Sequence, residues 1–118
     1  MRNQPKYNIF KNTSYAIEGL KDLIKSESSF KIELFLSVIL IPIIFLVDQS
    51  LTNKLLLFIT FSGVLLAEII NSAIERTVDL VTLEFHHMAK RAKDVGSAIV
   101  FISISICTIT WLCILLNL

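Results

Sequence analysis

The chain has 118 residues, a length that indicates a single domain over residues 1–118, and a formal net charge of only +1. Hydrophobic residues make up 54% of the sequence and the mean hydropathy is +0.72. These values are high for a soluble domain of this size, because small domains expose much of their surface. The low net charge provides no strong electrostatic field that would attract nucleic acid. The spacing of the Cys and His residues matches no metal-binding motif.

The first predicted element is an amphipathic helix over about residues 7–25. Its apolar residues form one face and its charged residues lie mostly on the other, with Thr13 or Ser14 expected to cap its start. A basic amphipathic helix just before a membrane span is typical of a segment that lies in the membrane interface. A surface helix packed on a core is the alternative. A short hinge, Ser26–Ser29, follows this helix and contains Glu27.

Three apolar stretches predict three transmembrane helices, at about residues 30–47, 54–79 and 95–118. The first contains Pro42, which removes a helical hydrogen bond and predicts a kink. The last contains 24 residues without a charge. Its Trp111 lies near the far end, where tryptophan is typical of a membrane interface. Together the elements predict an all-α integral membrane protein.

Lysine and arginine residues predict the orientation in the membrane. Six of them lie within residues 1–31 and four within residues 76–93, whereas the turn between the first two spans contains only Lys54. Because cytoplasmic segments carry the excess of positive charge, the N-terminus and the 76–93 segment are predicted in the cytoplasm. The C-terminus is predicted on the outer, periplasmic side of a multi-pass protein.

The second span carries one polar stripe. Residues 55–67 contain no charge, and polar side chains then follow at spacings of three, four and seven residues. The members of the stripe are Glu68, Asn71, Ser72, Glu75 and Asp79. At about 100° per helical residue they fall within roughly ±60° of one direction. A carboxylate in lipid costs about 2.5–3.5 kcal/mol and usually marks a functional site.

The cytoplasmic end of the stripe lies near Lys90, Arg91 and Lys93 in the sequence. Carboxylates that bind Mg²⁺, together with cations that neutralise phosphate, are the groups that nucleotide chemistry needs. Asp79 is either a catalytic group or a structural partner of Arg91 or Lys93. The sequence has neither a GxxxxGK[ST] nor a GxGxxG loop. An ion-coupled transporter and an accessory protein whose stripe joins helices therefore remain open.

The stripe and the basic segment also resemble a known signature, formed by EIINSAIERTVD (residues 68–79) and RAKDVGSA (residues 91–98). This signature is similar to that of the small prokaryotic diacylglycerol kinase family, and the similarity extends from about Asn8 to Leu116. The resemblance implies an N-terminal amphipathic helix and three transmembrane helices, assembled as a homotrimer in the bacterial inner membrane. It implies Mg²⁺- and ATP-dependent phosphorylation of diacylglycerol to phosphatidic acid; a related branch of the family acts on undecaprenol.

The resemblance further implies roles for individual residues. Glu68 corresponds to the catalytic base that accepts the proton of the lipid hydroxyl, and Glu27 and Glu75 correspond to the carboxylates that bind the metal of MgATP. The residues implied to contact ATP are Tyr15, Glu84, His86, Lys93 and Asp94. Those implied to lie beside the lipid substrate, together with Glu68, are Lys31, Glu33 and Asn71. One departure is Asn8, which stands where the family commonly has an arginine that helps to bind nucleotide and lipid.

Overall fold

A computed structural model describes residue 6 and residues 8–118 of the chain. The described residues form α-helices and short connections, with no β-strand among them, as the sequence predicts. The helices are α1 (Ile9–Ser26), α2 (Ser28–Leu46), α3 (Leu51–Val81) and α4 (His87–Leu115). The last three are long and apolar enough to cross a membrane, which confirms the three predicted spans. The chain divides into two compact units, with the division after Val38 in α2.

In the first unit, α1 begins at Ile9 because Asn8 caps it. The side-chain oxygen of Asn8 accepts hydrogen bonds from the backbone N–H groups of Phe10 at 3.0 Å and Lys11 at 3.2 Å. These donors have no partner within the helix, so the cap replaces bonds that the first turn cannot make. Asn8 therefore has a structural role as the N-cap of α1.

The prediction that Thr13 or Ser14 caps this helix is wrong. Both lie inside α1, and Thr13 Oγ1 donates a hydrogen bond to the carbonyl oxygen of Ile9 at 2.8 Å, one turn back. Asparagine, serine and threonine all favour N-cap positions, so residue type alone does not distinguish Asn8 from Thr13 or Ser14. Tyr7, the predicted first residue of the helix, lies outside the described residues.

The predicted hinge is a break at one residue, Glu27. Its backbone is extended, with φ −126° and ψ 107°, between the end of α1 at Ser26 and the start of α2 at Ser28. The backbone N–H of Glu27 donates to the carbonyl oxygen of Leu23 at 2.9 Å, and its own carbonyl oxygen accepts from Lys31 at 3.2 Å. The break is thus closed on both sides by hydrogen bonds, and it holds the Glu27 side chain at the junction of two helices.

In the second unit, α3 and α4 pack against each other, and Trp111 forms part of the contact. Its Nε1 donates to the carbonyl oxygen of Leu57 and to Oγ1 of Thr60, both at 3.2 Å. Its ring lies 6.1 Å from the ring of Phe61, centroid to centroid. Trp111, which the sequence suggested as a membrane-interface anchor, thus uses its indole N–H in a contact between helices.

The turn between α2 and α3 is held by side chains at the same end of the unit. Gln49 Nε2 donates to the carbonyl oxygen of Ile114 near the end of α4, at 3.4 Å, and Asn53 Nδ2 donates to Gln49 Oε1 at 3.0 Å. Lys54 Nζ donates to the carbonyl oxygen of Phe45 at 3.0 Å. The start of α3 thus lies beside the end of α4, so these two helices run antiparallel.

The connection between α3 and α4 is shorter than predicted. It covers only residues 82–86, because α3 continues to Val81 and α4 begins at His87. The sequence predicts a polar, partly helical connection at about residues 80–93 and the third span at 95–118. Hydropathy locates the part of a helix that lies in lipid and not the polar turns beyond it. The basic residues Lys90, Arg91 and Lys93 lie on the first two turns of α4, in agreement with the prediction that this connection is partly helical.

Candidate functional site

The predicted polar stripe lies on a single helix, α3, as its spacing requires. Glu68, Asn71 and Glu75 are half-buried, whereas Asp79 is exposed. Ser72 is buried, with only 6% of its surface exposed. Glu68 lies seven residues, or about 10 Å of helical rise, before Glu75. The stripe therefore offers one carboxylate deeper in the span and another nearer the polar end.

Two members of the stripe contact each other. Asn71 Nδ2 donates a hydrogen bond to Glu75 Oε1 at 3.3 Å. The other amide atom, Asn71 Oδ1, is buried and has no hydrogen-bond partner among the described residues. An ionised carboxylate only accepts hydrogen bonds, so Glu75 selects the orientation in which Asn71 presents its NH₂ group. Asn71, predicted to lie beside the substrate, thus orients the predicted metal ligand.

A cavity of about 490 Å³ opens where α3 ends and α4 begins. The residues predicted to contact ATP that line it are Glu84, His86, Lys93 and Asp94. Asp79, the last member of the stripe, also lines it. The short connection between the helices explains this grouping, because residues separated by up to fifteen positions meet around one turn. The structure therefore brings together four of the predicted nucleotide-contacting residues.

Two ion pairs lie at this cavity. Lys93 Nζ is 2.7 Å from Asp79 Oδ1, and Lys90 Nζ is 2.7 Å from Asp94 Oδ2. The hypothesis that Asp79 pairs with Lys93 is therefore confirmed. All four side chains keep between 41% and 60% of their surface exposed. Exposed ion pairs contribute little to stability, so an incoming phosphate can replace Asp79 as the partner of Lys93 at small cost.

His86 has a defined role in the structure as the N-cap of α4. Its Nδ1 accepts a hydrogen bond from the backbone N–H of Met88 at 3.1 Å. In the neutral ring this bond places the proton on Nε2, which leaves that atom as a donor for a ligand. In the same connection, the backbone N–H of Glu84 donates to Thr82 Oγ1 at 3.2 Å. Side-chain hydrogen bonds thus order both predicted ligand-contacting residues of the connection.

The remaining predicted site residues belong to the first unit. Tyr15 lies on α1 with 48% of its surface exposed. Glu27 is half-buried at the break between α1 and α2, Lys31 is exposed in the first turns of α2, and Glu33 is half-buried. Their placement beside the α3 stripe stays a prediction.

The carboxylates of Glu27 and Glu75 are suited in chemistry to Mg²⁺, which prefers oxygen ligands. Within residue 6 and residues 8–118, no three His, Cys, Asp or Glu side chains gather into a metal-binding group. Mg²⁺ at nucleotide sites is usually held by one or two carboxylates, with phosphate oxygens and water completing its coordination. One or two protein carboxylates therefore fit a metal that arrives with the nucleotide.

Sequence reasoning missed one contact in the site, between Gly96 of α4 and Asn71 of α3. Gly96 is buried, and a Cβ atom added to it would overlap Asn71 Oδ1. A glycine in a membrane-spanning helix indicates that another group approaches closely. It does not indicate which group, and only the antiparallel register of the two helices identifies Asn71.

Comparisons with known proteins identify the family of this chain. The family model described as prokaryotic diacylglycerol kinase matches residues 14–115. A diacylglycerol kinase of Pseudomonas aeruginosa is 41% identical over 109 residues, which cover 92% of this chain and 89% of the relative. One of Haemophilus influenzae is 39% identical over 104 residues, 88% of each chain. An undecaprenol kinase of Bacillus subtilis is 34% identical over 98 residues, 81% of this chain and 80% of the relative. The matched region contains both the stripe and the cavity. The chain belongs to the prokaryotic diacylglycerol kinase family.

Proposed function

We propose that this protein transfers the γ-phosphoryl group of ATP to the free hydroxyl of diacylglycerol, giving phosphatidic acid and ADP at the cytoplasmic surface of the bacterial inner membrane. Membership of a kinase family supports ATP as co-substrate, and the relatives named diacylglycerol kinase support the lipid. The observation that carries the proposal is the continuity of two features. The polar stripe of α3 ends at Asp79, which also lines the cavity at the start of α4.

Glu68 is the general base in this proposal. It is half-buried and lies on the deeper part of the stripe, on the side from which a lipid hydroxyl arrives. Its carboxylate accepts the hydroxyl proton while the lipid oxygen bonds to the γ-phosphorus. The bond from that phosphorus to the oxygen bridging to the β-phosphorus breaks, and ADP leaves with the bonding electrons. Positioning and charge neutralisation supply most of the catalysis in such a transfer.

The nucleotide occupies the cavity between the ends of α3 and α4. Lys93 exchanges Asp79 for a phosphate oxygen, since its present partner is half-exposed. His86 donates from Nε2, while Glu84 and Asp94 accept from the nucleotide. Tyr15 of α1 completes the predicted contacts. Charge-assisted hydrogen bonds of this kind give the phosphates a fixed orientation.

Mg²⁺ is held in this proposal by Glu75 and Glu27, with the phosphates supplying further oxygens. When bound, the ion neutralises negative charge that develops on the transferring group. The hydrogen bond from Asn71 to Glu75 keeps one carboxylate oriented toward the nucleotide. Lys31 and Glu33, near the start of α2, lie beside the lipid together with Asn71.

The proposed assembly is a homotrimer. The polar stripe on α3 needs shielding from lipid over several turns, and three membrane-spanning helices per chain give little shielding to a stripe of five polar residues. A subunit interface removes this stripe from lipid, and the resemblance to the family indicates three subunits. The proposed orientation keeps the N-terminus and residues 82–86 in the cytoplasm.

Undecaprenol is the second candidate substrate, because the Bacillus subtilis relative carries that name. Both substrates present a free hydroxyl at the membrane surface, so the same base and the same nucleotide site serve either. Membership of a kinase family disfavours the ion-coupled transporter and the accessory protein. The identity of 41% to a diacylglycerol kinase, against 34% to the undecaprenol kinase, favours diacylglycerol.

The direct test is a phosphorylation assay of the purified protein in mixed micelles with MgATP labelled at the γ-phosphate. Diacylglycerol and undecaprenol are supplied in separate reactions at matched surface concentrations. We expect label in phosphatidic acid, with a higher kcat/KM for diacylglycerol. A higher kcat/KM for undecaprenol would show that undecaprenol is the preferred substrate. The absence of labelled lipid in both reactions would contradict the proposed function.

A further inference from the structure

The absence of a side chain at Gly96 makes room for the amide group of Asn71. A Cβ atom at Gly96 would overlap Asn71 Oδ1, whereas it would lie 3.5 Å from Ile74 Cδ1, an ordinary van der Waals distance. The overlap thus involves one side chain at the contact between α3 and α4. Gly96 itself is buried, so the space is closed to solvent.

Asn71 is constrained from two sides that differ in character. Its Nδ2 donates to Glu75 Oε1 at 3.3 Å. Its Oδ1 is buried without a hydrogen-bond partner among the described residues, so on that side the amide is held by shape alone. Moving the amide away from Gly96 requires rotation of the Asn71 side chain, and this rotation also moves the atom that binds Glu75.

We propose that Gly96 is a positioning residue that fixes the carboxylate of Glu75 through Asn71. A methyl group at position 96 rotates the Asn71 amide, breaks its hydrogen bond to Glu75 and releases that carboxylate. The inference rests on the proposed function in that it takes Glu75 as a ligand of the metal. Loss of a residue that orients a metal ligand typically weakens metal binding by about 10- to 100-fold.

The predicted effect of Gly96→Ala is local. The overlapped atom is the end of a side chain with two rotatable bonds, so it moves at lower cost than backbone in contact with backbone. The chain also offers a matched control, Gly63→Ala, on the same helix as Asn71. A Cβ atom at Gly63 meets nothing within 4 Å. Both substitutions replace glycine by alanine within a helix and so change helix propensity in the same way. Only Gly96→Ala affects Asn71.

The experiment measures Mn²⁺ binding, as a substitute for Mg²⁺, by paramagnetic resonance titration of the full chain in detergent micelles with a non-hydrolysable ATP analogue. We expect Gly96→Ala to weaken Mn²⁺ binding by about 10- to 100-fold and Gly63→Ala to leave it unchanged. Unchanged affinity in Gly96→Ala, or equal loss in both variants, would overturn the inference. A wild type that binds no Mn²⁺ would instead contradict the proposed metal site.

Thermal unfolding of the same variants tests the contact independently of the metal. The fall in Tm caused by Gly96→Ala should disappear when Asn71→Ala is also present, because no amide then remains to overlap. This comparison of the single and double variants still tests the contact if Gly96→Ala alone fails to fold. Recovery of folding in the double variant would support the contact between Gly96 and Asn71, and continued failure would overturn the inference.

Discussion

Lys93 Nζ lies 2.7 Å from Asp79 Oδ1, so the first turns of α4 are joined to the last turns of α3 beside the candidate nucleotide cavity. Both side chains remain more than 40% exposed. Water and salt therefore screen the pair, which limits its contribution to stability to about 0.2–1 kcal/mol. The pair is better suited to orient Lys93 toward the cavity than to hold the helices together.

Substitution of Lys93 should weaken ATP binding without unfolding the protein. We expect Lys93→Met to raise the KM for ATP by about 10- to 100-fold, the effect of losing a hydrogen bond between charged groups. The measurement is initial rate against ATP concentration in micelles. Lys54→Met, which removes a lysine at the other end of α3, is the control and should keep the KM. An unchanged KM in Lys93→Met would remove this lysine from the nucleotide site.

The two proposed metal ligands should respond alike to loss of charge. Glu75→Gln and Glu27→Gln each keep the size of the side chain but remove an anionic oxygen that Mg²⁺ prefers. We expect a higher Mg²⁺ concentration for half-maximal activity and a large fall in kcat, with an unchanged Tm. Glu18→Gln, on α1, is the matched control. Wild-type Mg²⁺ dependence in both variants would show that the metal assignment is wrong.

Trp111 should stabilise the pair of helices without affecting catalysis. Trp111→Phe keeps an aromatic ring near Phe61 but removes the hydrogen bonds from Nε1 to Leu57 and Thr60. We expect the free energy of unfolding to fall by about 0.5–1.5 kcal/mol, measured by denaturant titration in micelles, and the KM for ATP to stay the same. No loss of stability would show that the Nε1 hydrogen bonds do not stabilise this pair of helices.

The helices were predictable from the sequence because each has a strong local signal. Uncharged stretches located the three spans, and the three- and four-residue spacing located the stripe on one face of α3. The ends were less predictable, since α3 extends from Leu51 to Val81 and a polar stretch of two turns precedes the apolar part of α4, which starts at His87. The cap at Asn8 was missed because Thr13 and Ser14 are chemically equivalent candidates.

The site was predictable in composition but not in its contacts. The resemblance selected the residues, and the structure shows that Glu84, His86, Lys93 and Asp94 line one cavity. The contact between Gly96 and Asn71 depends on the antiparallel register of α3 and α4. Local sequence does not encode that register, because it arises from packing between residues 25 positions apart.

The orientation in the membrane is a separate prediction. A reporter fused after Leu118 should be active on the outer side, and one inserted at Phe85, in the connection between α3 and α4, should be active in the cytoplasm. The reason is the cluster of basic residues next to that connection, against the single lysine, Lys54, at the opposite end of α3. A cytoplasmic C-terminus would contradict the three-span topology.

In the proposed mechanism, Glu68 accepts the proton of the lipid hydroxyl. Glu68→Gln keeps the size of the side chain and the packing of the helix but cannot act as the base. General-base catalysis contributes about 10²–10⁴-fold to the rate. We therefore expect kcat to fall by about 10²-fold or more. The oligomeric state and the binding of ATP should be retained, since the cavity at residues 79–94 is unchanged.

The most direct measurement is phosphatidic acid formation in micelles by wild type and Glu68→Gln at saturating ATP and diacylglycerol, with ATP binding measured on the same samples. We expect phosphorylation by the wild type and a fall in kcat of about 10²-fold or more in the variant, at equal ATP affinity. Phosphorylation at the wild-type rate by Glu68→Gln would show that Glu68 is not the base, and Asp94 would then be the next carboxylate to test.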